Sequence, residues 1–108
     1  MTPYLLIPEA EEDIKDIARY TLESWGEKQY FNYAASFERR FQEISNRTAQ
    51  SRIFSKRFPQ VLMTKCEHHY IFYIHKKGDV PLIIAILHER MDMLAWVENR
   101  VSDELSDK

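Results

Sequence analysis

From Ala10 to Ile44 apolar residues recur at steps of three and four, and the series breaks only once, at Gly26. Ala10, Ile14, Ile17, Ala18, Thr21, Leu22 and Trp25 make one stripe. Tyr30, Tyr33, Ala34, Phe37, Phe41 and Ile44 make a second, which could run on to Thr48. Such spacing places each set on one face of a helix. A break of one or two residues leaves no room for a crossover, so the two helices must fold back as an antiparallel hairpin. Pro8 suits the first turn of the first helix, where its missing N–H costs nothing, and Gly26 suits its C-cap. Glu9, Glu11, Glu12 and Asp13 place negative charge at the positive end of the helix dipole. The aromatic stripe of the second helix reads as packing surface rather than a base-stacking platform.

Before the hairpin, Tyr4 to Ile7 is a short apolar run ended by Pro8, which predicts a strand. After it, from Ser51 to Pro59, the pattern lapses and Arg52, Lys56 and Arg57 collect in what reads as a connection. The period then switches to strands over Val61–Lys65, Tyr70–His75 and Val80–Leu87. Lys76-Lys77-Gly78-Asp79 is a turn with glycine where positive φ is needed, so the last two strands form a hairpin. Met93 to Val101 predicts a short amphipathic helix, and Glu98 to Lys108 is polar enough to fray. The expectation is an α+β fold: a strand, a helical hairpin, a three-stranded antiparallel meander and a short C-terminal helix. Both faces of the last two strands are apolar, whereas a sheet covered on one side alternates. The hairpin can cover one face, and the other requires the C-terminal helix or a partner.

A chain of 108 residues with 44% hydrophobic and 30% charged residues is expected to form one globular domain over 1–108. The longest apolar run, Leu82–Leu87, is far shorter than the roughly 20 residues of a membrane span. One cysteine and an N-terminus without a basic stretch lead to the expectation of a cytoplasmic protein. The net charge of −2 hides a segregation: residues 1–38 carry −5, residues 39–90 carry +6 and residues 91–108 carry −3. A basic middle of this kind suits an anionic partner, or it simply faces solvent.

Two glycines exclude a phosphate-binding loop or dinucleotide fingerprint. Cys66, His68, His69 and His75 are the one cluster of metal-ligand types, but no CxxC or HxxxH pair completes a tetrahedral site. Cys66 and His68 are expected on one face of a strand with His69 on the other, and Cys66 reads as a small buried apolar residue. No metal or cofactor is expected. His88, Glu89, Arg90 and Asp92 gather polar groups where a strand leaves the sheet, either to pin the strand end or to act chemically. Arg39, Arg40, Arg47, Arg52, Lys56, Arg57 and Lys65 could receive phosphate or an acidic protein segment.

The run His69-Tyr70-Ile71-Phe72-Tyr73, a turn, then Ile84-Ala85-Ile86-Leu87-His88-Glu89-Arg90-Met91-Asp92 resembles the ParE branch of the RelE/ParE toxin superfamily. Tyr4–Ile7, the helix with Ala10, Asp13, Ile14 and Ile17, then Tyr20 and Trp25-Gly26, agree with the same pattern. So do the aromatic second helix and Ser51-Arg52, and coverage runs from about Tyr4 to Asp92. The resemblance implies a toxin of a type II toxin–antitoxin system of the plasmid-stabilising kind. It implies DNA gyrase as the target and a ParD-like antitoxin whose C-terminal segment wraps the toxin. Such a segment suits a basic, partly apolar surface. The target or antitoxin surface is then expected at Arg52, Arg57, Tyr73, His88, Arg90 and Asp92. Where relatives carry an arginine after the Ile-Phe-Tyr strand, this chain has Ile74 and His75. The alternative is a ribosome-dependent mRNA endoribonuclease of the RelE type, with Arg57 and Arg90 on phosphate and His88 as acid or base. A third reading is a non-toxic module that retains antitoxin binding.

Overall fold

The computed structural model describes residues 4–75 and 78–105. The elements are β1 (Leu5–Leu6), α1 (Pro8–Trp25), α2 (Glu27–Ser45), β2 (Arg52–Ser55), β3 (Phe58–Cys66), β4 (His69–Ile74), β5 (Leu82–His88) and α3 (Met93–Leu105). Their sheet order is β1-β5-β4-β3-β2, with β1 parallel to β5 and every other pair antiparallel. No described helix is long and apolar enough to cross a membrane.

Gly26 joins the two long helices by itself. Its φ of +88° lies in the region that L side chains avoid. Its N–H donates to the Leu22 carbonyl, ending α1, while its own carbonyl accepts from Tyr30, starting α2. One residue thus serves as C-cap and N-cap together. α2 stops at Ser45, short of Thr48, because Arg47 turns to φ +63° and the N–H groups of Thr48 and Ala49 fold back onto the Glu43 carbonyl.

The meander has one strand more than the sequence pattern predicts. Arg52–Ser55, expected as connection, pairs with β3, and β3 begins at Phe58 rather than Val61. β2 is an edge strand bearing an exposed arginine, and charged edges do not show the alternation that marks a covered strand. Pro59 is tolerated because the β2–β3 register slips beside it, between Ile53 and Ser55. In the β4–β5 turn Gly78 has φ +86° as expected, while Lys76 and Lys77 lie outside the described residues.

Both faces of β4 and β5 are buried, as their double apolar pattern requires: Ile71, Phe72, Ile83, Ile84 and Leu87 are each at most 1% exposed. α1 and α2 cover the face that carries Cys66, His69 and His88. α3 covers the other, contributing Val97 and Val101 to the core and reaching across to the β2–β3 turn. Its helical course to Leu105 runs through the segment expected to fray from Glu98, since Val97, Arg100 and Val101 are all buried. Residues 106–108 lie outside the described residues.

Candidate functional site

β5 carries an irregularity that decides what surrounds it. Phe72 pairs with Ala85 but Tyr73 pairs with Ile83, leaving Ile84 as a bulge. A bulge reverses which backbone groups face which neighbour, and here it turns the Ile84 carbonyl and the Ile86 N–H towards the outer edge. β1 ends too early to pair with them. Side chains complete the edge instead: Asp13 Oδ2 accepts from Ile86 N at 2.9 Å, and Arg100 Nη1 donates to the Ile84 carbonyl at 3.0 Å. The two side chains also form a two-pronged ion pair, at 2.6 and 3.1 Å, with exposures of 15% and 9%. α1, β5 and α3 therefore meet in one satisfied polar knot. Arg100 did not stand out in the sequence, and Asp13 did so only as an acid at a helix start and as part of the family pattern. The available signal was a cation at position 100 on the same helical stripe as Val97 and Val101.

At the end of the sheet, Cys66, His69 and His88 lie side by side across β3, β4 and β5. The expected strand placement of His68 does not hold. Glu67 and His68 form the β3–β4 turn, with Glu67 at φ +58°, so Cys66 and His68 share no strand, whereas Cys66 and His69 share a face. Cys66 is 2% exposed, and burial pushes its thiol up to about 11, against the pull of the nearby Arg40 guanidinium. His69 is also buried, and desolvation, then repulsion from His88, brings its imidazole down to about 4. Its ring stands edge-on to His88 at 5.1 Å and to Phe37 at 5.9 Å.

The His88–Asp92 segment pins the strand end. His88 Nδ1 accepts from Arg90 N, the His88 carbonyl accepts from Met91 N, and Asp92 Oδ1 accepts from Ala95 N in the first turn of α3. Glu89 binds His68 Nδ1 at 3.2 Å and Lys65 Nζ at 3.5 Å, and the His68 contact, foremost, holds its carboxyl below the usual range. The Arg90 side chain is exposed and makes no ion pair among the described residues.

The remaining candidates lie elsewhere. Arg57 sits in the β2–β3 turn, stacked on Phe58 and paired with Glu98 of α3 at 2.6 Å. Arg52 on β2 and Lys65 on β3 border a groove of about 610 Å³ with Gln50, Ser51 and Tyr70, and Lys65 lies over the Tyr70 ring. Tyr73 is 4% exposed with its hydroxyl 2.5 Å from Ser51 Oγ, so it offers no free face to a partner. Arg57 immediately precedes β3, whereas His88 on β5 is aligned, through His69 of β4, with Cys66 at the far end of that strand. Nine residues at about 3.3 Å each separate them by roughly 30 Å along the strand. Arg57 cannot serve the same phosphate as His88 and Arg90, because acid–base groups work at hydrogen-bond distance.

A family model described as the ParE toxin of type II toxin–antitoxin system, parDE, matches residues 4–93. Toxin ParE of Escherichia coli is 39% identical over 101 residues, a span of 94% of this chain and 98% of that relative. The order of strand, helical hairpin, meander and C-terminal helix in this chain is the one its periodicity predicts, with β2 added to the meander. The chain belongs to the ParE toxin family of type II toxin–antitoxin systems.

Proposed function

We propose that this toxin acts by binding rather than by catalysis, with DNA gyrase as its target, and that a ParD-like antitoxin neutralises it. The observation that carries this reading is the separation of Arg57 from His88 and Arg90 by the length of β3. An endoribonuclease needs phosphate-binding cations and an acid or base around one scissile bond. Of the three residues expected in that role, Arg57 stands at the opposite end of the sheet from His88 and Arg90, which leaves that pair without its second phosphate-binding arginine.

Two surfaces support an antitoxin with an acidic, amphipathic segment. The groove bordered by Arg52 and Lys65 suits its carboxylates, and a cavity of about 230 Å³ among Ile14, Ile17, Tyr33, Phe37 and Phe41 suits its apolar side chains. Pulsed expression followed by parallel assays for broken DNA and cut transcripts tests the target. Gyrase-linked DNA breaks with intact mRNA are expected; codon-positioned mRNA cuts with intact DNA would overturn the reading. Folded protein that binds antitoxin yet leaves growth unaffected would instead indicate a non-toxic binding module.

A further inference from the structure

At the turn end of the helical hairpin, α1, α2 and the histidine row of the sheet enclose a cavity of about 350 Å³. Its walls are largely aromatic: Tyr20 and Trp25 from α1, Tyr33 from α2, His69 and His88 from the sheet and His68 from the β3–β4 turn, with Ile17 and Thr21 between them. Gln29 supplies an amide, and no Lys, Arg, Asp or Glu lines it. Tyr20 and Trp25 are 63% and 68% exposed. Aromatic side chains so placed are the usual anchors of a protein interface.

Three observations give the cavity a chemical preference. His69 is 9% exposed, and its Nδ1 is buried without a hydrogen-bond partner. Because the ring is held neutral, it keeps an unused lone pair. The N–H of Arg90 donates to Nδ1 of His88, so that nitrogen's lone pair is already in use. Glu23 and Glu27 flank Trp25 in the chain without an ion-pair partner among the described residues, whereas Glu89, behind His68, is already held by Lys65 and His68. Lys15 and Arg19 are already taken by Glu12 and Asp16, which leaves Lys28 as the unpaired cation of residues 4–38.

Several π faces and a vacant acceptor, with two unpaired glutamates close in sequence to Trp25, are an arrangement that attracts an organic cation. We propose that this cavity is an aromatic cage for one arginine side chain presented by a basic segment of a partner protein. The guanidinium stacks against Trp25 and Tyr33 and donates towards His69. Arginine fits better than a compact ammonium because its planar group stacks and donates at once. This surface lies apart from the basic groove and shares Ile17 and Tyr33 with the apolar cavity; the toxin reading does not rest on arginine binding there, so failure of the cage would leave it untouched.

NMR titration of the full chain with N-acetyl-arginine amide tests the cage, with N-acetyl-citrulline amide as the neutral isostere and N-acetyl-glutamate amide as the anion. Saturable shifts are expected at the Trp25 indole N–H and the His69 and His88 ring protons with the arginine compound alone. Trp25→Phe should weaken binding, and Trp25→Ala should weaken it at least tenfold. Trp25 is exposed, so unchanged dispersion elsewhere in the spectrum will show that the fold persists. Equal shifts with citrulline, preference for glutamate, no saturable shift, or binding that survives in Trp25→Ala would each overturn the proposal.

Discussion

Replacing Arg100 by methionine should destabilise this toxin far more than any other loss of one surface-directed cation. Arg100 and Asp13 are 9% and 15% exposed, and they satisfy each other together with two backbone groups of β5. Removing the guanidinium leaves the Asp13 carboxylate without a counterion and the Ile84 carbonyl without a donor. Breaking one partner of a buried pair costs about 3–5 kcal/mol. Asp13 keeps limited access to water, which places the expected loss near the lower end, at about 3 kcal/mol. Against a typical total of about 5–15 kcal/mol for a domain, that is a large fraction. At roughly 4–6 °C per kcal/mol for a chain of this size, the midpoint should fall by about 12–18 °C.

Urea titration followed by circular dichroism gives the free energy, and in a Trp25→Phe background Trp96 fluorescence reports α3 separately, since Arg100 lies over the Trp96 ring at 5.5 Å. Arg57→Met is the control. It breaks the Arg57–Glu98 pair, whose 2.6 Å distance is equally short but whose side chains are 61% and 39% exposed. An exposed pair is worth about 0–1 kcal/mol. The double variant Asp13→Leu/Arg100→Met should recover part of the loss, because a packed apolar pair needs no counterion. If Arg100→Met costs no more than Arg57→Met, the knot at the β5 edge does not hold α3 and the reasoning fails.

Other outcomes follow from the same geometry. His69 binds its proton at about 4 when folded and at the ordinary 6.5 when unfolded, so the unfolded chain takes up the proton first as pH falls. Its contribution to stability is unchanged above about 6.5 and is lost between 6.5 and 4, at up to about 1.4 kcal/mol per pH unit, or about 3 kcal/mol in all. His69→Gln should remove that portion of the acid slope, and parallel slopes in the two proteins would refute it. Cys66, buried with its thiol raised to about 11, should resist iodoacetamide at pH 8 until urea unfolds the chain. Labelling of the native protein at the rate of a free thiol would contradict its placement. Arg90→Ala should abolish toxicity in a growth assay while leaving the melting temperature within about 2 °C, since its side chain is exposed. Full toxicity would remove Arg90 from the target surface.

How much of this was legible in the sequence depended on the distance over which each residue's role is set. The hairpin was readable because its signal is local: Gly26 terminates two periodic stripes, and both functions it performs are met within four residues on either side. The double apolar pattern of β4 and β5 likewise announced a sheet covered on both faces, and α3 is the cover. β2 was not legible, because an edge strand is defined by the partner it lacks, and Arg52 and Ile53 are exposed like connection residues.

The candidate site was harder for the same reason carried further. Asp13 reads as one more acid at a helix start, and Arg100 as one more charge in a polar tail. Their meaning appears only when the bulge at Ile84 exposes two backbone groups between them, 87 residues of separation having been closed by the fold. Tyr73 was expected on a surface because its strand matched the family pattern, but alternation alone does not say which face a connection will bury, and Ser51 covers its hydroxyl. The charge segregation had partial meaning. The basic middle supplies the Arg52–Lys65 groove, yet Arg57 and Arg40 within it are already held by Glu98 and Glu43. The anionic partner implied by a +6 segment therefore meets fewer free cations than the sequence suggests: Lys65 is shared with Glu89, and among the described residues Arg52 is the unpaired cation of the groove. A charge count predicts the sign of a partner, whereas pairing within the fold decides where that partner can bind.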